Sequence, residues 1–568
     1  STFATLRDSL QRNDRLYDNQ TEVRRWQTSQ QLRYNPIPSL TAEVTAGLDY
    51  RVENNKEILT NQYLRRTGQS NALGSITDFT RTFLGLSLSA NLNHEASWRF
   101  MSFRTNVGAQ VFRDDVKVTR LEADDVPDGA QSITASAQTF AADDISVVSQ
   151  QGFYVKENIG FGDRFFIDVG LRGDNNSAFG EEVGVVWYPS IGASYTVTDE
   201  PFIAENIPQD IITNIKLRGN YGESGNFPDP FANERTVDVN AYLGNSSLTF
   251  GNPGDADLKP ERVKSWEVGG DFAFIDGRVT LGVTRYNSTT VDAIFSAPFA
   301  PSTGEDTQQR NLGEIENKGW EFTSSFAILD QPDYGLNLNA SLNTLDNVVT
   351  DNGGAPKFGI GGFTFLGGTV AEGQPVGYLE GNQPVFDENG LVVDVQRDAV
   401  LGDPNPDYFG SLSLRGRYKG LSLRVTADYQ TGAQGVATDD VLRSLSVLGP
   451  DQGRFPNPEN AAFPPAIQQL FAGQTSFFDL AGGFVEDTDY LKVRLISLNY
   501  TLPENLLPQA VRSVRVGLSA SNPFGFVESS FDPEVTGSET AAGTVGGVFG
   551  YRTISPPRQY TFSLNVGL

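Results

Sequence analysis

The sequence predicts an all-β chain built as a transmembrane antiparallel β-barrel. Three observations carry this. Apolar residues recur at every second position, the alternating runs reach about 10 residues or more, and the connections between them alternate between short and long.

The alternation is plainest at the C-terminus. In "RQYTFSLNVGL" Tyr560, Phe562, Leu564, Val566 and Leu568 are apolar, while Thr561, Ser563, Asn565 and Gly567 between them are small or polar. "SLTAEVTAGLDYR" places Leu40, Ala42, Val44, Ala46, Leu48 and Tyr50 on one face, opposite Thr41, Glu43, Thr45, Gly47, Asp49 and Arg51. "LSLRVTADYQ" and "YGLNLNASLN" repeat the pattern from Leu421 and from Leu336. A soluble β-sandwich alternates too, but its strands have about 5 or 6 residues, whereas a membrane strand needs about 9–11.

Loop lengths sort by parity. A tight link near Gly160 to Asp163 is followed by a polar one around Asp174 to Glu182, then a moderate link from Thr198 to Asp210 and a long one over 225–262. The turn Asp276-Gly277 precedes a long segment over 287–316, "LDQPD" precedes 347–407, "YKG" precedes 431–487, and "LPENLLPQAV" precedes 523–556. An outer-membrane barrel shows this because periplasmic turns only reverse the chain, while extracellular loops carry recognition.

In lipid no backbone hydrogen bond is satisfied by solvent, so the strands must close and the last must pair with the first. Tyr50, Tyr188, Tyr286, Tyr418, Tyr500 and Tyr560 lie near strand ends and suit interfacial girdles as a set, while ordinary strand packing is the favoured reading of each alone. About seventeen strands are legible, an odd number where single-chain bacterial barrels have even ones. The opening "STFATLRDSLQRNDRLYDNQ" is polar, lacks alternation and reads as a loop entered midway.

Composition excludes other classes. Apolar residues make up 38% and there are 58 glycines, few cores' worth of apolar side chains for 568 residues. No run of about 18 apolar residues offers a helical span. The absence of cysteine removes disulfides and thiolate metal sites, and a single histidine, His94, reads as a surface or turn residue. Forty-three basic against 70 acidic residues give a net charge of −27, which argues against nucleic acid as a partner.

Chemical motifs are weak. The pairs Asp114-Asp115, Asp124-Asp125 and Asp143-Asp144 have the carboxylates for Ca²⁺ but no ligand-loop spacing, so they read as solvated loop charge. "GIGGF" and "AGGF" lack the lysine and hydroxyl of a phosphate loop. No Gly-x-Ser-x-Gly elbow occurs, so an enzyme is not expected and no catalytic, cofactor-binding or metal residue is assigned.

Several blocks carry a family resemblance. "IKLRGNYGESGN", residues 215–226, resembles a strand-and-loop motif of TonB-dependent outer-membrane receptors. "NPGDADLKPERVKSWEVGGDFAFIDGRVTLGVTRYNSTTVDAI" is similar to their Leu-Lys-Pro-Glu block and following hairpin. "NLGEIENKGWEF", "LGDPNPDYFGSLSL", "EDTDYLKVRLISLNYTLP" and "FDPEV" resemble the SusC/RagA branch, and the resemblance runs from about residue 25 to Leu568.

The resemblance implies a barrel of 22 strands in a whole receptor. Residues 1–568 would be its C-terminal part, without the plug domain and about five early strands. It further implies TonB-dependent import of an oligosaccharide or oligopeptide across the bacterial outer membrane. The expected partners are outer-membrane lipid, a SusD-like lipoprotein lid, the TonB complex through an N-terminal region, and dimers of receptor–lid pairs. A passive porin-like barrel and a barrel anchoring a surface assembly are the alternatives.

Cargo contacts would fall in the longest loops. Loop 431–487 holds Phe455, Phe463, Phe471, Phe477, Phe478 and Phe484 with a short helix expected at "PPAIQQLFA", and loop 347–407 holds Phe358, Phe363, Phe365 and Tyr378. Packing of the loops together, or docking of the lid, is the favoured reading of each aromatic, so the ligand-binding residues are unknown.

Overall fold

The computed structural model describes residues 17–66, 73–180, 182–242, 245–299, 301–305, 307–363, 365–438, 465–466, 469, 473–535, 549–550 and 555–567. The chain divides into two compact units, 1–161 with 168–189 and 227–260, and 162–167 with 190–226 and 261–568.

The first unit is an antiparallel meander of β1 Tyr17–Ile37, β2 Leu40–Leu59, β3 Gly74–Trp98, β4 Met101–Val126 and β5 Gln138–Phe161, each paired with the next. It also takes in most of β6 Phe165–Asn176 and the start of β7 Val186–Thr196. Tyr17–Gln20, read from sequence as loop, already belong to β1. The acidic pairs fall within strands 101–126 and 138–161, where Asp114 and Asp115, or Asp143 and Asp144, point to opposite faces and cannot share a cation.

The second unit continues the pattern. It holds the end of β7, then β8 Ile212–Asn226, β9 Glu261–Phe274, β10 Val279–Val291 and β11 Glu314–Asp330. Next comes β12, Tyr334–Thr344 continued by Asp346–Asp351 along the same partner strand. β13 Tyr408–Tyr418, β14 Leu421–Thr431, β15 Tyr490–Thr501, β16 Ser513–Val527 and β17 Gln559–Gly567 complete it, neighbour pairing with neighbour. Counted this way the long strands among the described residues number seventeen.

The alternation read from sequence is the alternation built. Along β17 Tyr560, Phe562, Leu564 and Val566 are 51–74% exposed, and Leu518 of β16 beside them is 56% exposed. An exposed apolar stripe of this kind is stable against acyl chains and not against water. Tyr50, Tyr418, Tyr500 and Tyr560 are exposed as the girdle reading expects. Tyr188 is buried, and Tyr286 turns to the polar face, where its hydroxyl donates to the Thr344 carbonyl at 3.0 Å, so these two are corrections.

Strands β1 to β5 are longer than the periodicity suggested, at 21, 20, 25, 26 and 24 residues. Twenty-five residues reach about 80 Å, against the roughly 30 Å of a hydrocarbon core. The surplus is visible in the side chains. The apolar face of β4, with Val107 and Val111, gives way to Arg113, Asp115 and Lys117, and Arg113 bonds Asp115 at 2.9 Å.

Among the described residues the largest buried apolar cluster lies in the connections rather than in the large sheets. That displacement of the core into the loops locates the candidate site.

Candidate functional site

The connection between β12 and β13 folds into a four-stranded antiparallel sheet of Phe358–Phe363, Leu366–Val370, Tyr378–Phe386 and Val392–Gly402. Between β14 and β15, Gln434–Val436 pairs with Val485–Asp487, and a 3₁₀ turn covers Phe477–Phe484. Ser476 caps that turn reciprocally with Asp479, each side chain accepting the other's backbone N–H.

These loops share one core. Leu366 and Leu379 from the first loop, Val436, Ala481 and Phe484 from the second, and Phe549 from the connection between β16 and β17 are all buried, with Phe363, Phe365, Leu401 and Val485 packed around them. Gly362, in the left-handed region at φ 87°, faces the Phe549 ring, which a Cβ there would meet at 2.8 Å. The second glycine of the "GG" pair in "GIGGF" therefore admits an aromatic ring to the backbone.

A second cluster of Val349, Phe358, Val370 and Val376 is reached by Phe295 of the β10–β11 connection, whose ring meets Phe358 edge-on at 5.5 Å. Four connections thus contribute to one folded canopy.

The candidate aromatics sort clearly on this frame. Phe358, Tyr378 and Phe484 are buried, and Phe363 stacks on Phe365 at 5.1 Å. Phe478 is half exposed and stands edge-on to Phe365 at 4.9 Å. Phe455, Phe463 and Phe471 lie outside the described residues, as do the side chain of Phe477 and most of "PPAIQQLFA". From that last stretch Gln469 bonds both the N–H and the carbonyl of Val392, at 2.7 and 3.1 Å.

Polar groups fix the sheet. The Tyr378 hydroxyl donates to Glu380 at 2.6 Å, and Lys357 pairs with the same carboxylate at 2.8 Å. Burial, reinforced by the bond to Glu380, holds the Tyr378 phenol far above its ordinary range. Residues 346–407 carry ten carboxylates, with only Lys357 and Arg397 as cations, so the canopy presents a negative field.

Sequence reasoning passed over the polar face of the first unit. Arg25 grips Asp49 through two bonds of 2.8 and 2.6 Å. Arg172 holds Asp174 the same way at 2.7 and 2.8 Å and reaches Gln110 at 3.1 Å, while Tyr154 donates to Asn91 at 2.6 Å. For Arg25 and Asp49 the signal was opposite charges on the wet positions of neighbouring strands, whose register had to be known first, whereas Arg172 and Asp174 stand two apart on one strand. Among the described residues no group of acidic or histidine side chains is arranged to hold a metal ion.

A wall of long antiparallel strands with an apolar face, polar residues opposite, and one end covered by folded loops defines an outer-membrane barrel of the receptor type. The chain belongs to the family described as TonB dependent receptor-like, beta-barrel, whose model matches residues 2–522. That family comprises outer-membrane receptors rather than enzymes.

Similar proteins include a TonB-dependent receptor of Formosa agariphila, 25% identical over 465 residues, covering 73% of this chain and 46% of that protein. The TonB-dependent receptor SusC of Bacteroides thetaiotaomicron is 23% identical over 430 residues, covering 67% and 41%. A structure of the RagAB peptide transporter superposes with a TM-score of 0.79 at 18% identity, over 97% of this chain and 62% of that one, a likeness of fold. The chain spans less than half the length of the curated relatives it matches.

Proposed function

We propose that the protein is the barrel of a TonB-dependent importer that takes a large nutrient, an oligosaccharide or an oligopeptide, across the outer membrane with a SusD-like lipoprotein as its lid. The observation that carries this reading is the canopy itself: four connections at one end of the strand wall are folded around shared cores, while the turns at the other end are short. A passive pore needs no such structure at its mouth, whereas a receptor that captures cargo and seats a lid does.

The resemblance to SusC and the fold shared with RagAB support the same class. Within it, the ten carboxylates of residues 346–407 favour neutral or basic cargo over polyanions. Residues 1–568 are read as one outer-membrane domain within this assembly, and pairing into receptor–lid dimers is part of the proposal.

The test combines uptake with partner recovery. The protein is purified from native outer membrane, co-purifying proteins are identified by mass spectrometry, and uptake of labelled neutral glycans and basic oligopeptides is followed with and without TonB. Energy-dependent uptake and a lipoprotein of similar abundance support the importer. Gradient-driven flux without TonB would leave a passive barrel, and recovery of surface proteins without any uptake would leave an anchor.

A further inference from the structure

The sequence of β15, "YLKVRLISLNYT", changes phase. Leu491 and Val493 hold the apolar face at odd positions, but Ile496, Leu498 and Tyr500 hold it at even ones. Against β14 the register shifts between Val493 and Leu495, a bulge that moves the apolar face from odd to even positions, while Tyr490, Lys492 and Arg494 share the polar side by ordinary alternation. Two cations thereby project from the polar face of one strand.

Their partners come from two places. Arg494 bonds Asp428 of β14 at 2.7 Å and makes a short contact with Glu534. Lys492, with 9% of its side chain exposed, pairs with Glu534 at 2.7 Å and makes a short contact with Asp532. Tyr490 donates to Glu534 at 3.2 Å and lies under the Lys492 ammonium at 4.8 Å.

Asp532 and Glu534 belong to "FDPEV", beyond β16. Their backbone is folded mainly on itself: the N–H of Glu534 donates to the Asp532 side chain at 3.1 Å, and that of Val535 to the Asp532 carbonyl at 3.1 Å. Outside the turn, Glu528 N–H reaches the Asp489 carbonyl at 3.0 Å and Ser530 N–H the Glu486 carboxylate at 2.6 Å. The segment is a preformed turn tied down by these charges and by the Phe531 ring, which lies against Gly550.

We propose that residues 528–535 form a releasable strap across the polar face of β14 and β15, buckled by Lys492 and Arg494. Apolar side chains could fill such a site at least as stably, and removing both carboxylates leaves the nearly buried Lys492 uncompensated, while Arg494 keeps Asp428. Burial pushes the Glu534 carboxyl up, but bonds from Arg494 and Lys492 outweigh it and hold the group ionised below the usual range. Release would loosen residues 528–535 while the ladder of β14 and β15 stays paired.

Hydrogen exchange on the whole receptor in native outer-membrane vesicles tests this. In Asp532→Asn/Glu534→Gln the amides of Glu528, Ser530 and Val535 should exchange at least about tenfold faster, with residues 421–431 unchanged. Glu534→Gln alone, which leaves Lys492 paired with Asp532, should raise exchange less than the double variant. Unchanged exchange in the neutralised variant, or β14 exchanging in step with the strap, would overturn the proposal. If the double variant does not assemble, as judged by heat-modifiable mobility on gels, Asp532→Asn alone is read by the same two criteria.

Discussion

The ring of Phe549 lies against the backbone of Gly362, two residues separated by most of the C-terminal third of the chain and joined in one core. Phe549→Ala should open a cavity there and cost about 3–5 kcal/mol of local stability. Gly362→Ala, which puts a Cβ at a positive φ and into that ring, should cost roughly 1–3 kcal/mol. Both are read as faster proteolysis of residues 358–402 with the strand wall intact, and resistance equal to the parent would refute the shared core.

Tyr378 and Lys357 share Glu380 unequally. Tyr378→Phe leaves a buried carboxylate short of a donor and should lower canopy stability by about 1–2 kcal/mol. Lys357→Met removes a half-exposed partner and should cost less than about 1 kcal/mol. Thermal unfolding of the canopy, followed by exchange at Leu379 and Glu380, ranks the two.

Two aspartates should oppose each other in acid. Burial pushes Asp479 up, but bonds from Ser476 and the charge of Arg397 outweigh it and leave the group below its ordinary value. Its contribution is present above that value and lost as pH falls through the folded one, so the 477–484 turn should loosen below about pH 4. Asp403 is raised, by burial first and by Asp407 and Asp346 after it, although Asn405 donates to it. Its contribution is present in acid and lost as pH climbs, so Asp403→Asn should stabilise the canopy at pH 7 and lose that advantage below about pH 4. Asp479→Asn should instead destabilise the turn at pH 7, and the same sign for both variants would show that one environment is misassigned.

The two faces of β17 should respond differently to charge. Leu564→Arg places a guanidinium against lipid and should cost about 2–4 kcal/mol near the bilayer midplane. Thr561→Arg, on the polar face, should assemble normally. The folded fraction after reconstitution into vesicles separates the two, and equal losses would contradict the assignment of faces.

The wall was legible because a period of two with long runs has one physical outcome in lipid. Even the bulge of β15 stood in the sequence, as the change of apolar phase between Val493 and Ile496. The great length of β1 to β5 was not, since above the bilayer both faces are polar and the alternation fades at Arg113 and Asp115. Tyr188 and Tyr286 were misplaced because a strand-end tyrosine looks alike on either face. The aromatics of the long loops were visible as a group, but their partners sit in other loops, so no local pattern shows that Phe358 meets Phe295 or that Phe484 and Phe549 share a core.

A core assembled from separate connections has a consequence for grafting. Transplanting the 347–407 segment alone into another receptor would leave Leu366 and Leu379 facing water and would strand Phe484 and Phe549 in the donor. The mouth of this receptor is therefore inherited as a set. A chimera meant to change cargo would need to carry the stretches around 295, 358–402, 434–487 and 549 together.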